Sequence, residues 1–169
     1  KGTVLVISPW NFPFAIAAGG ILSALCSGNR VILKPSPETP LTANLMAKCF
    51  WDAGISKDTL QLIHCANDPE ASYLAAHEGI AAIVFTGSTA TATKIKLARP
   101  EVDFYAETGG KKVSIVSSLS DRDLAIKNLR DSAFSHNGQK CSATSLLLLE
   151  EEVFNDKNFI DSLKDAVSS

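Results

Sequence analysis

The stretch Ile80-Ala-Ala-Ile-Val-Phe-Thr-Gly-Ser-Thr89 decides the fold. From Ile80 to Thr86 it carries no charge and no proline, and it is rich in β-branched and aromatic side chains, so it reads as a strand. Gly87 ends the strand, and Ser88 to Leu97 reads as a helix that starts at once. An apolar run without polar alternation belongs to a strand covered on both faces. A strand that feeds directly into a helix is half of a βαβ unit.

The same alternation recurs in both directions. Thr3 to Ser8 is a strand, and Phe14 to Ser27 is a helix stopped by Gly28-Asn29. Arg30 to Lys34 is the next strand. Thr39 to Ala53 is a helix with Thr39 as N-cap, Pro40 at its first position and Gly54 as its stop. Thr59 to His64 reads as a strand, and Asp68 to His77 as a helix capped by Asn67 or Asp68. Beyond Leu97, Asp103 to Glu107 and Lys112 to Val116 are extended pieces separated by Gly109-Gly110. Asp121 to Ser135 is a helix, Ser142 to Leu149 an apolar strand, and Asn155 to Val167 a closing helix. This order predicts an α/β fold built on a doubly wound parallel sheet. A first domain is expected over 1–117 and the beginning of a second over 118–169.

Composition narrows the function classes. The chain has 169 residues, 46% hydrophobic and 20% charged, with a net charge of −2. That is enough for a core, too apolar for a disordered chain, and without the basic excess of a nucleic-acid binder. Cys26, Cys49, Cys65 and Cys141 form no Cys-x-x-Cys pair, which argues against zinc; no metal site is expected. Reduced thiols point to a cytoplasmic setting. Cys26 and Cys49 fall inside apolar helices and Cys65 ends a strand, and all three read as inert, buried thiols. Phe12 to Cys26 is the longest apolar stretch, but Pro13, Gly19, Gly20 and Ser23 interrupt it. It reads as a buried helix, and no membrane span is expected. Lys1 in place of a methionine, with a strand starting almost at once, reads as a piece of a longer protein.

Open parallel sheets bind ligands beyond the carboxyl ends of their strands. Those ends carry Ser8-Pro-Trp-Asn-Phe-Pro13, Lys34-Pro-Ser-Pro-Glu38, Phe85-Thr-Gly-Ser88 and Glu107-Thr-Gly-Gly110. Gly87-Ser88 at a helix start offers N–H groups to a phosphate; alone it is an ordinary capping turn. Lys34 could meet a phosphate or a ribose hydroxyl, or simply be an exposed strand end. Glu107 suits a general base or a solvated turn. Asn11 is an amide donor for an oxyanion or a turn residue. Cys141, beside Lys140, is a nucleophile candidate or an inert thiol. His136 lies five residues before it, but one turn seldom supplies both nucleophile and base. No Gly-x-Gly-x-x-Gly is present.

In combination these segments say more. Pro-Trp-Asn-Phe-Pro, Lys-Pro-Ser-Pro-Glu-Thr-Pro, Phe-Thr-Gly-Ser, Glu-Thr-Gly-Gly and Gly-Gln-Lys-Cys stand in one order between Pro9 and Cys141. The chain thereby resembles the aldehyde dehydrogenase superfamily across essentially its whole length. Thr108, and Ala133-Phe134 ahead of Gly138-Gln-Lys-Cys-Ser-Ala143, resemble the glutamate-semialdehyde (1-pyrroline-5-carboxylate) dehydrogenases. That group includes the dehydrogenase half of the bifunctional proline-utilisation enzymes.

The resemblance implies a Rossmann-like coenzyme domain followed by the start of a catalytic domain. It implies Cys141 as nucleophile, Asn11 as oxyanion donor and Glu107 as the base that releases the product acid. Ile7, Trp10, Lys34, Ser36, Gly87 and Ser88 would contact the coenzyme, NAD, with NADP also accepted. The substrate would be a small aldehyde, and the parent enzyme a homo-oligomer. The isolated piece would be inactive and self-associating, because the strand Ser142 to Leu149 would lack sheet neighbours. Two positions depart from the family pattern. Ala92 stands where a glycine is common, and Pro37 stands where NAD-preferring members often carry a ribose-binding glutamate, with Glu38 one position late. Other readings are a dehydrogenase for succinate semialdehyde or an aliphatic aldehyde, or a nucleotide-binding module without catalysis.

Overall fold

The computed structural model describes residues 2–168; the end residues of the two expected domains, Lys1 and Ser169, lie outside that range. The chain forms two compact units, Lys1–Gly109 and Gly110–Ser169. In the first, β1 (Thr3–Ile7), α1 (Ala15–Cys26), β2 (Arg30–Lys34), α2 (Pro40–Asp52), β3 (Leu60–Leu62), α3 (Glu70–Ala76), β4 (Ile80–Gly87), α4 (Thr89–Ala98) and β5 (Asp103–Thr108) alternate along the chain. The five strands are all parallel, in the order β3-β2-β1-β4-β5.

Strand periodicity explains the two layers of helices. Val4 and Val6 of β1 point to one face with Val31 and Leu33 of β2, against Ala17, Ile21 and Ala24 of α1 and Ala43 and Met46 of α2. Leu5 points to the other face with Ile83 and Phe85 of β4, against Ala75 of α3 and Ala92 and Ile95 of α4. Neighbours along one strand thus serve opposite cores, which is why these strands read as unbroken apolar runs. Gly20 lets α1 lie close on β1: a Cβ there would come within 2.8 Å of Val6 Cγ1. Gly28, at φ +74, ends α1, its N–H donating to Leu25 O; only glycine enters that region without steric cost.

Several local expectations are corrected. Helix α1 is buried along one stripe only, and Phe14 and Leu22 face outward, 58% and 48% exposed. Cys26 and Cys49 are exposed rather than buried, because the core stripes of α1 and α2 run through other positions. The N-cap of α3 is Pro69, not Asn67 or Asp68.

The second unit holds β6 (Lys112–Val116), α5 (Arg122–Phe134), a 3-10 turn (Ser135–Gly138), β7 (Thr144–Leu149), α6 (Glu151–Phe154) and α7 (Lys157–Ser168). The break between units falls at Gly109/Gly110 rather than after 117, because β6 pairs with β7 and not with the first sheet. For the same reason the expectation that the strand ending at Leu149 lacks a neighbour does not hold. Val116, Leu147 and Leu149 face a small core with Leu129, Val153 and Phe159. Val113 and Ile115, opposite Leu146 and Leu148, form the other face, each at least 47% exposed.

Candidate active site

Because all five strands of the first unit are parallel, their carboxyl ends share one edge of the sheet. From β1 the chain moves to β2 and β3, then returns across to β4 on the far side of β1. The connections leaving β1 and β4 therefore diverge and open a crevice between them. Ile7, the last residue of β1, lies opposite Lys34 and Phe85. Gly87 ends β4 opposite Thr108, and Glu107 lies opposite Thr86 on the outer strand β5. Ser8, Trp10, Asn11, Ser36 and Ser88 sit in the segments that continue from this edge. Every cofactor candidate named from the sequence is thus on one edge, together with Asn11 and Glu107.

Two residues there were not singled out by the sequence. Ser8 is buried, and its N–H donates to Lys34 O at 3.2 Å, yet its Oγ has no hydrogen-bond partner. An orphaned buried hydroxyl is costly unless something else satisfies it. The second is Asn67. Lys34 is 4% exposed, and its Nζ donates to Asn67 Oδ1 at 2.9 Å. Burial pushes the Lys34 ammonium below the ordinary lysine value, opposed by the nearby Cys65 and Glu38. The reading of Lys34 as a plain exposed strand end is thereby set aside. Ser8 stood in the loop already singled out; nothing in the spacing of Asn67 pointed to Lys34.

At the β4–α4 junction, Ser88 is the N-cap of α4, its Oγ accepting from Thr91 N at 3.1 Å. A Cβ on Gly87 would come within 2.6 Å of Phe85 Cζ, so the backbone there stays bare at the crevice. A helix start beside a bare backbone favours an anion, and the Lys34 ammonium and the unsatisfied Ser8 hydroxyl add polar partners. This set supplies the donors that the pyrophosphate and sugar hydroxyls of a dinucleotide need. Trp10 is 47% exposed, Asn11 is half-buried, and the Glu107 carboxylate is exposed.

Cys141 lies in the second unit and is exposed. It follows three consecutive left-handed residues: His136 (φ 57), Asn137 (φ 55) and Gly138 (φ 68). Such a conformation costs about 1–2 kcal/mol at each residue with a Cβ. Lys140, the neighbour of Cys141, donates from Nζ to Ser135 Oγ at 2.6 Å. Among the described residues, no group of three or more His, Cys, Asp or Glu is arranged to hold a metal. No described helix is long and apolar enough to cross a membrane.

The family model described as "Aldehyde dehydrogenase family" matches residues 1–169. The D-glyceraldehyde dehydrogenase (NADP(+)) of Picrophilus torridus is 37% identical over 167 residues, covering 96% of this chain and 34% of that protein. The 1-pyrroline-5-carboxylate dehydrogenase of Staphylococcus saprophyticus is 38% identical over 165 residues, covering 92% and 32%. The structure of Proline Utilization A (PutA) from Corynebacterium freiburgense superposes with a TM-score of 0.93 at 41% identity, covering 98% of this chain and 17% of that one. The chain spans about a third of the length of the curated relatives it matches.

Proposed function

The chain belongs to the aldehyde dehydrogenase family, and from that premise we propose that it is the coenzyme-binding and nucleophile-bearing part of a cytoplasmic enzyme oxidising glutamate semialdehyde to glutamate. The observation that carries this reading is the carboxyl edge of the first sheet, where Asn11 and Glu107 join a crevice fitted for a dinucleotide. Two relatives named for 1-pyrroline-5-carboxylate oxidation and proline utilisation support the substrate.

Cys141 Sγ, as thiolate, adds to the aldehyde carbon, and the carbonyl π pair moves onto oxygen. The Asn11 side-chain amide and the Cys141 backbone N–H donate to that oxyanion. The nicotinamide coenzyme, NAD with NADP also accepted, supplies when bound the acceptor for the hydride that leaves the carbon. The carbon remains joined to Sγ as a thioester. Glu107 then takes a proton from water, whose oxygen attacks the thioester, releasing the acid and the thiolate. Lys34 would reach the adenosine ribose, Gly87 and Ser88 would face the pyrophosphate, and Ile7, Trp10 and Ser36 would complete the coenzyme contacts. The parent enzyme is a homo-oligomer.

The test uses a protein of the relatives' length that carries this chain. Cys141→Ala abolishes turnover and leaves coenzyme binding intact, while Glu107→Gln gives a burst of reduced coenzyme followed by slow release. Steady-state activity in Cys141→Ala would overturn the assignment. Turnover with D-glyceraldehyde exceeding that with glutamate semialdehyde would overturn the substrate.

A further inference from the structure

The turn that carries Cys141 is tied down by side chains that the mechanism above does not use. It leaves α5 at Ser135, whose N–H donates to Asp131 O, and enters β7 at Thr144. Within it, Gln139 N donates to His136 O and Ala143 N to Lys140 O, each at 3.0 Å. The second bond closes a turn with Cys141 and Ser142 at its corners, and such a bond does not consume the N–H of the turn's second residue. At the base, Thr144 Oγ1 lies 2.8 Å from Ser132 Oγ on α5 and 2.7 Å from Ser114 Oγ on β6, so three hydroxyls join the three elements. The bond from Lys140 Nζ to Ser135 Oγ is a second tie across the same turn.

Strand alternation does not account for where Thr144 stands. Leu147 and Leu149 face the small core with Leu129 of α5, so a period of two would send Ser145 to that side. Instead the register shifts, with Thr144 opposite Lys112 and Leu146 opposite Val113. The extra residue in β7 re-aims the side chains before it, as bulges do. Thr144 meets α5, and Ser145 Oγ donates to Lys112 O at 3.3 Å. We propose that Thr144 is a positioning residue for the nucleophile: its hydroxyl, shared between Ser132 and Ser114, locks the end of the turn to α5 and β6. That lock fixes where the Cys141 thiol and the Cys141 N–H stand when an aldehyde arrives. The inference rests on the assignment of Cys141 above and adds what holds it in place. The left-handed residues His136 and Asn137 make such a lock necessary, because a strained run persists only where its surroundings over-determine it.

The test uses a protein of the relatives' length that carries this chain. Thr144→Val keeps the branched shape and loses the hydroxyl; Thr144→Ser keeps the hydroxyl. Single turnovers are run with saturating coenzyme and with enzyme in saturating excess over aldehyde, glutamate semialdehyde and D-glyceraldehyde in separate runs. The rate of coenzyme reduction then reports acylation, and a loss of folded enzyme alone does not change it. Thr144→Val should slow acylation by about 10–100-fold with whichever aldehyde reacts, the range for a reacting group displaced by about 1 Å. Thr144→Ser should stay within about threefold of the wild type. Ser132→Ala removes the partner on α5 and should slow acylation as Thr144→Val does; it decides the matter if Thr144→Val does not fold. Alkylation of Cys141 by iodoacetamide, read from the mass of its peptide, needs no oxyanion donor and should change by less than about threefold in the slowed variants. A wild-type acylation rate in Thr144→Val and Ser132→Ala, or equal slowing in Thr144→Ser, would overturn the role of Thr144 while leaving Cys141 as nucleophile. Coenzyme reduction in Cys141→Ala would overturn the nucleophile reading, and this inference with it.

Discussion

Lys34 Nζ, at the end of β2, donates to Asn67 Oδ1 at 2.9 Å, across 33 residues of sequence. This bond gives a buried ammonium a neutral partner rather than a carboxylate. It keeps the charge available to a ligand while satisfying one donor. The remaining desolvation lowers the lysine pKa in the folded state.

That shift has a sign in stability. Between the lowered folded value and the ordinary value of about 10.4, the unfolded chain binds more protons than the folded one. Stability therefore rises as pH climbs through that window, and below it the cost of burying the ammonium is present in full. Lys34→Met should show a flatter rise. Urea unfolding of both proteins from about pH 8 to about pH 10.4 measures it, and parallel curves would contradict the burial of Lys34.

Gly20→Ala should lower stability by about 1–3 kcal/mol, as an added methyl that forces α1 off β1. Its Cβ would stand 2.8 Å from Val6 Cγ1. Val6→Ala costs stability alone, yet should cost less in the Gly20→Ala background, because it makes room for the new methyl. Additive losses in denaturant unfolding would refute the contact.

Gly138→Ala combines two penalties. Its φ is +68, and its Cβ would lie 3.0 Å from Ala133 O. A loss of about 1–2 kcal/mol is expected. In a full-length enzyme the same change should slow acylation, since the turn runs directly into Cys141. Asn137→Gly relaxes a left-handed residue and should leave stability unchanged or raised. Equal losses from both changes would mean that the left-handed run is not formed.

The 169-residue chain by itself should self-associate and show negligible turnover. The strand β7 is paired with β6, and the surface open to a second copy is the apolar face of Val113, Ile115, Leu146 and Leu148. Such a face favours a second copy. Light scattering should show mass above the monomer for the wild type and a monomer for Ile115→Glu with Leu148→Glu. A monomeric wild type with turnover near about 10 s⁻¹ would overturn the expectation.

The sequence by itself determined the order of strands and helices, because each is marked by local chemistry. Arg30–Lys34 and Lys112–Val116 begin and end where the pattern placed them, and Asp121 and Ser88 cap α5 and α4 through their own side chains. It also determined the edge on which Ile7, Lys34, Gly87 and Glu107 meet, since parallel strands put all carboxyl ends on one side. It missed α6, whose four residues are too few to show a helical period. It misplaced the break between units, because strand pairing is a long-range choice: the local pattern of β6 fits either sheet, and only its ladder with β7 decides. Only the tertiary structure joined Asn67 to Lys34 and left Ser8 Oγ buried without a partner. Spacing along a chain carries no information about such contacts, because they depend on where β3, β2 and β1 come to lie side by side.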